Sequence, residues 1–232
     1  MKRNGMIFTN EDCMDLMARY PDKHFDLACV DPPYGIGIAQ SVGGEGPFGG
    51  KGGRGRIIKP KIFRGFDDSR IPEKKYFSEL SRVSKNRIIF GGNYFIEYLK
   101  NTPCFIVWDK DNSGDFADCE LAWTSFKTAT RMFCFRWNGM LQGNMKQKEE
   151  RIHPTQKPVA LYKWLLKNYA KQGQLILDTH VGSASSLIAC EEMGYDYVGC
   201  ELDKDYFKMA SERIRIYRDQ LKLDFDPKGG HG

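Results

Sequence analysis

Asp31-Pro32-Pro33-Tyr34 puts a carboxylate, a stiffened backbone carbonyl and an aromatic ring within four residues. The two prolines stop the apolar run Phe25-Asp26-Leu27-Ala28-Cys29-Val30, and Pro32 removes a backbone donor while keeping its carbonyl as an acceptor. That set suits an exocyclic amino group on adenine or cytosine, whose nitrogen has hydrogens to donate and a lone pair tied up in the ring. If Asp31 accepts one hydrogen and the Pro32 carbonyl the other, the nitrogen becomes more tetrahedral and its lone pair can attack a methyl group. Tyr34 then serves as a plate against the base. Such a base is out of reach inside a duplex, so it is flipped out or comes from a single strand. A plain Pro-Pro turn accounts for the same four residues; a second signature downstream argues for the chemical reading.

That signature is Gln174-Leu175-Ile176-Leu177-Asp178 followed by Thr179-His180-Val181-Gly182-Ser183-Ala184-Ser185. A buried strand, a turn of small residues and a helix let a ligand approach the backbone at the carboxyl end of a strand. Glu201, closing the next strand, follows Gly182 by roughly the 20 residues that separate such a turn from a ribose-binding carboxylate. Together they indicate a cofactor containing adenosine. Asp178 has an alternative role as a helix-capping acid.

The elements that must position these residues alternate between short apolar runs and segments of helical period, which predicts an α/β fold with a mostly parallel sheet. Strands are expected at 5–9, 25–30, 87–90, 104–108, 120–124, 131–137, 174–177 and 195–200, and helices at 72–84, 158–171, 183–193 and 204–221. Strands 120–124 and 131–137 leave no room for a helix between them and read as an antiparallel pair on a sheet edge. Residues 43–55 hold eight glycines and lie within 43–66, where Lys51, Arg54, Arg56, Lys59, Lys61 and Arg64 form a basic stripe; from Gly46 to Phe66 there is no acidic residue. This stretch reads as a flexible loop or as a flap that closes on a polyanion beside Tyr34.

At this point the chain resembles the DNA amino methyltransferases that carry an Asp-Pro-Pro-Tyr motif, specifically the permuted group in which that motif precedes the cofactor-binding glycine motif. Asn10-Glu11-Asp12-Cys13 resembles the family's acidic turn near the cofactor's adenine. Phe90-Gly91-Gly92-Asn93-Tyr94-Phe95, Val107-Trp108-Asp109-Lys110 and Glu120-Leu121-Ala122-Trp123 resemble the motifs that build the pocket. His153-Pro154-Thr155-Gln156-Lys157-Pro158 resembles the segment whose Thr155 and Lys157 lie around the methionine part of the cofactor. The resemblance implies a single Rossmann-like domain over 1–222 with a tail at 223–232. It implies S-adenosylmethionine as cofactor, held by Asp12, Cys13, Asp31, Thr155, Lys157, Asp178, His180, Gly182, Ser183 and Glu201. Asp31, Pro32 and Tyr34 become the catalytic residues, and the expected activity is site-specific methylation of adenine N6 in double-stranded DNA. Asp rather than Ser at position 31 leans towards adenine.

The chain departs from that family in two ways. Its cofactor loop has His180 where phenylalanine is usual and Ala184 where a second glycine is usual. His180 reads as a flat pocket wall, not a base, and Ala184 fits if its φ is negative, since a crowded loop would weaken cofactor affinity. The segment that reads DNA sequence is also reduced to 138–152. There Lys146, Lys148 and Arg151 are candidates for phosphate contacts, and Asn138, Gln142, Asn144 and Gln147 for base edges. A short or relaxed recognition sequence follows.

A length of 232 residues suits one large domain, and 35 Lys+Arg against 30 Asp+Glu is too even a balance to announce a nucleic-acid partner by charge alone. No apolar run reaches membrane-spanning length and the first residues leave no room for a signal peptide, so a cytoplasmic protein without a membrane partner is expected. Seven cysteines without a Cys-x-x-Cys pair read as small buried thiols, with no metal site expected. Cytosine or RNA as the target, a homodimer, and a degenerate cofactor- or nucleic-acid-binding module stay open. A nicotinamide dehydrogenase would use Glu201 but leaves Asp31-Pro32-Pro33-Tyr34 without a purpose.

Overall fold

The computed structural model describes residues 5–37, 68–112, 117–138, 141–146 and 148–224. The basic stripe of Lys51, Arg54, Arg56, Lys59, Lys61 and Arg64 lies outside them, as do Gln147 and 225–232.

An eight-stranded mixed sheet carries the molecule. In chain order its strands are β1 (Met6–Asn10), β2 (Phe25–Val30), β3 (Ser84–Phe90), β4 (Phe105–Asp109), β5 (Cys119–Thr124), β6 (Arg131–Cys134), β9 (Leu175–Asp178) and β10 (Asp196–Glu201), with a separate two-stranded hairpin of β7 (Trp137–Asn138) and β8 (Leu141–Gln142). The spatial order is β1-β10-β9-β2-β3-β5-β4-β6. The helices are α1 (Cys13–Ala18), α2 (Lys74–Val83), α3 (Val159–Tyr169), α4 (Ser185–Met193) and α5 (Lys204–Asp224). The sequence-predicted strands and the four longer helices all appear, within a few residues of the expected bounds. Short α1 is an addition, capped by Asp12 accepting from Met14 N at 2.7 Å.

Strand β2 explains the layering. Leu27 and Cys29 pack into a cluster with Leu161 and Leu165 of α3 and Leu187 of α4, while Ala28 and Val30 pack with Leu16 of α1 and Leu80 of α2. Both faces are therefore buried, as a central parallel strand requires. On α2, Tyr76, Phe77, Leu80 and Val83 recur at helical spacing and all face the sheet. Among the described residues no helix is long and apolar enough to cross a membrane.

Two features decide where a ligand can sit. The adjacent parallel strands β9 and β2 lead outward in opposite directions, to β10 and to β3, so their carboxyl ends border the crevice of a topological switch point. Strand β5 runs antiparallel to both β3 and β4, so its first residues lie at the same sheet edge as the last residues of those strands.

The expected pairing of 120–124 with 131–137 is corrected. β4 separates them, and edge strand β6 runs parallel to β4, with Ile106 opposite Arg131. The six residues between β5 and β6 pass across β4 instead of turning back on β5. The alternating burial of β4 fits its place inside the sheet. Cysteines 29, 104, 190 and 200 are buried as expected, whereas Cys134 on β6 is exposed.

Ala184 does not meet its condition: its φ is +64° and it is fully buried just before α4. Left-handed backbone costs an alanine about 1–2 kcal/mol, but glycine there would lose a buried methyl and about 0.5–1 kcal/mol of chain entropy. Those effects offset. Ala184→Gly is therefore expected to stay within about 1 kcal/mol of the parent. Ala184→Val, β-branched and overpacked, should lose about 3 kcal/mol or more. Denaturant unfolding of the two variants checks this, and equal midpoints would refute it.

Candidate active site

Asp31 follows the last residue of β2 at the switch point, and its two oxygens are both engaged. Tyr34 Oη donates to Oδ1 at 2.6 Å and Lys157 Nζ donates to Oδ2 at 2.5 Å. Lys157, whose side chain is only 3% exposed, also donates to Tyr34 Oη at 3.2 Å and pairs with Glu120 Oε2 at 3.0 Å. Its ammonium lies 4.7 Å from the centre of the Phe90 ring. Glu120, at the start of β5, reaches Lys110 through its other oxygen at 2.5 Å. Burial pushes the Asp31 carboxyl up, partly countered by Lys157. Burial also pushes Glu120 up, but its two lysines outweigh this and bring it to about 2. For Lys157, burial is outweighed by its two carboxylates, which hold it charged.

The aromatic plate is also fixed. Tyr34 stacks on Tyr94 with centroids 5.1 Å apart and an interplanar angle of 17°. Gly91 carries φ +68°, and a Cβ there would come within 2.3 Å of the Tyr34 ring, so only glycine admits this approach. The turn is held from the other side by buried Asp68, whose Oδ1 accepts from Tyr34 N at 2.9 Å and Gly35 N at 3.1 Å. Asp68, Tyr94 and Glu120 are absent from the sequence-predicted set. Tyr94 and Glu120 lie inside motifs noted there, whereas Asp68 has no local signal.

Across the crevice, Glu201 ends β10 with Oε2 accepting from Gly182 N at 2.8 Å and Oε1 from Asp203 N at 2.9 Å. Asp178 ends β9 and accepts from His180 N in the following turn at 3.0 Å and from the Ser186 hydroxyl, whereas the residue at the N-cap of α4 is Ala184. His180 meets Tyr76 edge-on at 5.3 Å and is pushed down to about 4 by burial, so it is a neutral wall. A cavity of about 220 Å³ is lined by Cys13, Met14, Pro72, Glu73, Lys75, Tyr76 and His180. Asp12, Cys13, His180, Gly182, Ser183 and Glu201 thus gather at the ends of β1, β9 and β10. Thr155 instead holds its hydroxyl 3.1 Å from His153 Nδ1.

The segment 138–152 is tied to the body. Gln142, a candidate for base edges, is buried and spends both ends of its amide on Glu149, with Nε2 donating to the Glu149 carbonyl and Oε1 accepting from Glu149 N, each at 2.8 Å. Arg151 donates to the Pro154 carbonyl at 2.7 Å and lies 5.9 Å from the centre of the Trp137 ring, which commits it to structure. Lys146 and Lys148 are exposed. Asn144 accepts from Lys146 N at 3.2 Å and Asn138 lies in β7.

A match to the family described as DNA methylase, covering residues 59–212, spans well over half of the chain and includes β3 through β10. The chain belongs to the N6/N4 DNA methylase family. Relatives within the methylases include Type II methyltransferase M2.DpnII of Streptococcus pneumoniae, 22% identical with 91% of this chain and 90% of that protein covered. M.HinfI of Haemophilus influenzae is 24% identical over 93% and 71%. M.HpaI of Haemophilus parainfluenzae is 36% identical, but over only 29% of this chain and 21% of its own length. The M1.HpyAVI–SAM complex shares the fold with a TM-score of 0.53 at 18% identity, covering 90% of this chain and 99% of that one. PvuII DNA methyltransferase, cytosine-N4-specific, does so with a TM-score of 0.57 at 10% identity, covering 94% and 93%.

Two outcomes test this geometry. Gly91→Ala adds left-handed strain and a clash with Tyr34, and should lower stability by at least about 2 kcal/mol in denaturant unfolding; an unchanged midpoint would contradict the packing. Burial pushes Asp178 up to about 7. The folded state therefore binds more protons than the unfolded chain between about pH 4 and 7, and this group's contribution falls as pH rises. Asp178→Asn removes that cost. Relative to the parent, its melting temperature should climb steadily across that interval, and a constant difference would refute the assignment.

Proposed function

We propose that this methylase transfers a methyl group from S-adenosylmethionine to N6 of an adenine flipped out of double-stranded DNA, with Asp31, Pro32 and Tyr34 at the reacting centre. The observation that carries the reading is the placing of Asp31. It lies at the β9–β2 switch point, bonded to Tyr34 and Lys157, beside the turn where Glu201 grips Gly182.

The residues present fit the cofactor. The cavity between α1 and α2, walled by Met14, Tyr76 and neutral His180, suits an aromatic ring, and Glu201 at the end of β10 is placed for ribose hydroxyls. When bound, S-adenosylmethionine supplies an electrophilic methyl group. Asp31 and the Pro32 carbonyl then accept the two amino hydrogens and free the nitrogen lone pair. The Tyr34–Tyr94 stack offers a ready aromatic surface for the flipped base. Once methylated, the nitrogen sheds its proton, for which Asp31 is the acceptor. Adenine is preferred because position 31 holds Asp rather than Ser. Lys146 and Lys148, with the basic stripe at 51–64, are the candidates for phosphate contacts.

The test is incubation with labelled S-adenosylmethionine and unmethylated DNA or RNA, digestion to nucleosides and mass spectrometry. N6-methyladenine in DNA, lost in Asp31→Ala, is expected. N4-methylcytosine would replace adenine by cytosine in this reading, product on RNA alone would move the partner, and cofactor binding with no product would leave a binding module.

A further inference from the structure

We propose that Glu120 is a positioning residue for methyl transfer, acting through Lys157 to keep the negative charge of Asp31 available to the target amino group. The inference rests on the reading of Asp31 as acceptor of that group.

Lys110, Glu120, Lys157 and Asp31 form one line of alternating charge, linked at 2.5, 3.0 and 2.5 Å. The line sums to zero. It ends on the carboxylate that must face a nitrogen gaining positive charge as it bonds to the methyl group. Without Glu120 the sum becomes +1 beside that nitrogen, and Lys157 is left with Asp31 as its only carboxylate among these partners. A lysine fully paired to Asp31 cancels the charge the reaction needs and competes with the incoming amino hydrogens for Oδ2. With Glu120 present, the ammonium has a second carboxylate to hold it when the base takes its place on Oδ2.

The fold makes Glu120 available for this purpose. Glu120 faces Trp108 in the β4–β5 register, and Ala122, two residues on, faces Phe90, the last residue of β3. Glu120 thus lies beyond the end of β3, at the edge where Asp31 stands. A parallel strand in β5's position would have sent its first residue to the opposite edge. Lys110, just beyond the end of β4, holds the other oxygen and lies 5.2 Å from the Trp108 ring centre, so the glutamate has one well-determined place.

The experiment combines kinetics with an activity-free readout. Glu120→Gln keeps the shape and removes the charge. It should lower kcat on the order of 10- to 100-fold, the range an outer partner of a reacting group commands, with KM for cofactor and DNA within about threefold. Lys157→Met and the double variant E120Q/K157M should have the same kcat within about threefold, because the effect of Glu120 on methyl transfer passes through Lys157. Unchanged kcat in E120Q, or a double variant whose loss is the product of the two single losses, overturns the proposal. Independently, the Asp31 carboxyl is titrated by carbon-13 NMR in DNA-free protein. Losing the neighbouring anion should move its midpoint down in E120Q, while Tyr34, Lys157, Cys29, Asp178 and Tyr162, the other titratable groups coupled to it, keep their identities. An unmoved midpoint also overturns the proposal. If the parent methylates no substrate, the functional reading fails while the titration still reports on the coupling.

Discussion

A lysine ammonium in a protein interior needs oxygen partners for its charge and its three donors, and this demand at Lys157 organises the site. Desolvating a charge costs several kcal/mol, recovered only where opposite charges and hydrogen bonds surround it closely. Lys157 donates to Asp31, just after β2, and to Tyr34 in the same turn, and Glu120 at the start of β5 adds a second negative charge at ion-pair distance. Three segments distant in sequence, those of residues 31–34, Glu120 and Lys157, must therefore converge on one point. Strand direction follows from the same need, since only an antiparallel β5 brings a first residue to the edge where parallel β2 and β3 end. The Asp31–Tyr34 turn cannot move without stranding the ammonium, so the ion pairs fix the geometry of Asp31 even though a buried pair contributes little net stability.

Much of this was legible in the sequence because the signals are local. The alternation of β and α periods gave the parallel sheet, and the prolines and small residues marked the two turns that border the switch point. What was not legible depends on pairing at a distance. The placement of β4 between β5 and β6 is a choice of partner, and two strands with a six-residue connection fit either arrangement. Asp68 accepts from the backbone of Tyr34 from 34 residues away, and an aspartate pair after a basic glycine-rich stretch carries no mark of that role. Glu120 was visible as a residue in a motif but not as a charge in a network. Its partners Lys110 and Lys157 come from just beyond β4 and from the segment before α3, and only the fold brings them together.

The same distinction explains the segment 138–152. Read as a string, it offers polar side chains suited to bases and phosphates. In the fold, Gln142 closes on Glu149, and Glu149 accepts from Val159 N at the start of α3 and pairs with Arg213 of α5 at 2.7 Å. Arg213 also donates to the Ser183 carbonyl at 2.7 Å. Gln142, which looked like a reader of bases, thus belongs with Glu149 and Arg213 to a clamp joining the hairpin, the start of α3 and the turn before α4. This leaves Lys146 and Lys148 as the exposed cations of the segment among the described residues, and cations of that kind contact phosphates without reading sequence.

That clamp bears on the two unusual residues of the turn between β9 and α4. An alanine at φ +64° stays there because its surroundings hold the turn: Ala184 N donates to the Val181 carbonyl at 3.0 Å, its own carbonyl accepts from Ile188 N at 3.0 Å, and Arg213 grips Ser183 next door. The conformation belongs to the turn, and the residue bears the strain. Histidine in place of phenylalanine at 180 raises a different issue, because a protonated imidazole would repel a cationic methyl donor. Burial removes that conflict by driving His180 down to about 4, and its Nδ1 lies 3.0 Å from Thr179 Oγ1, with Tyr76 Oη 2.7 Å from the same hydroxyl. Near neutral pH the ring is flat and uncharged, so it fills the phenylalanine position in shape and in electrostatics. His180 and Ala184 thus depart from the family pattern without placing a charge on the turn near neutral pH.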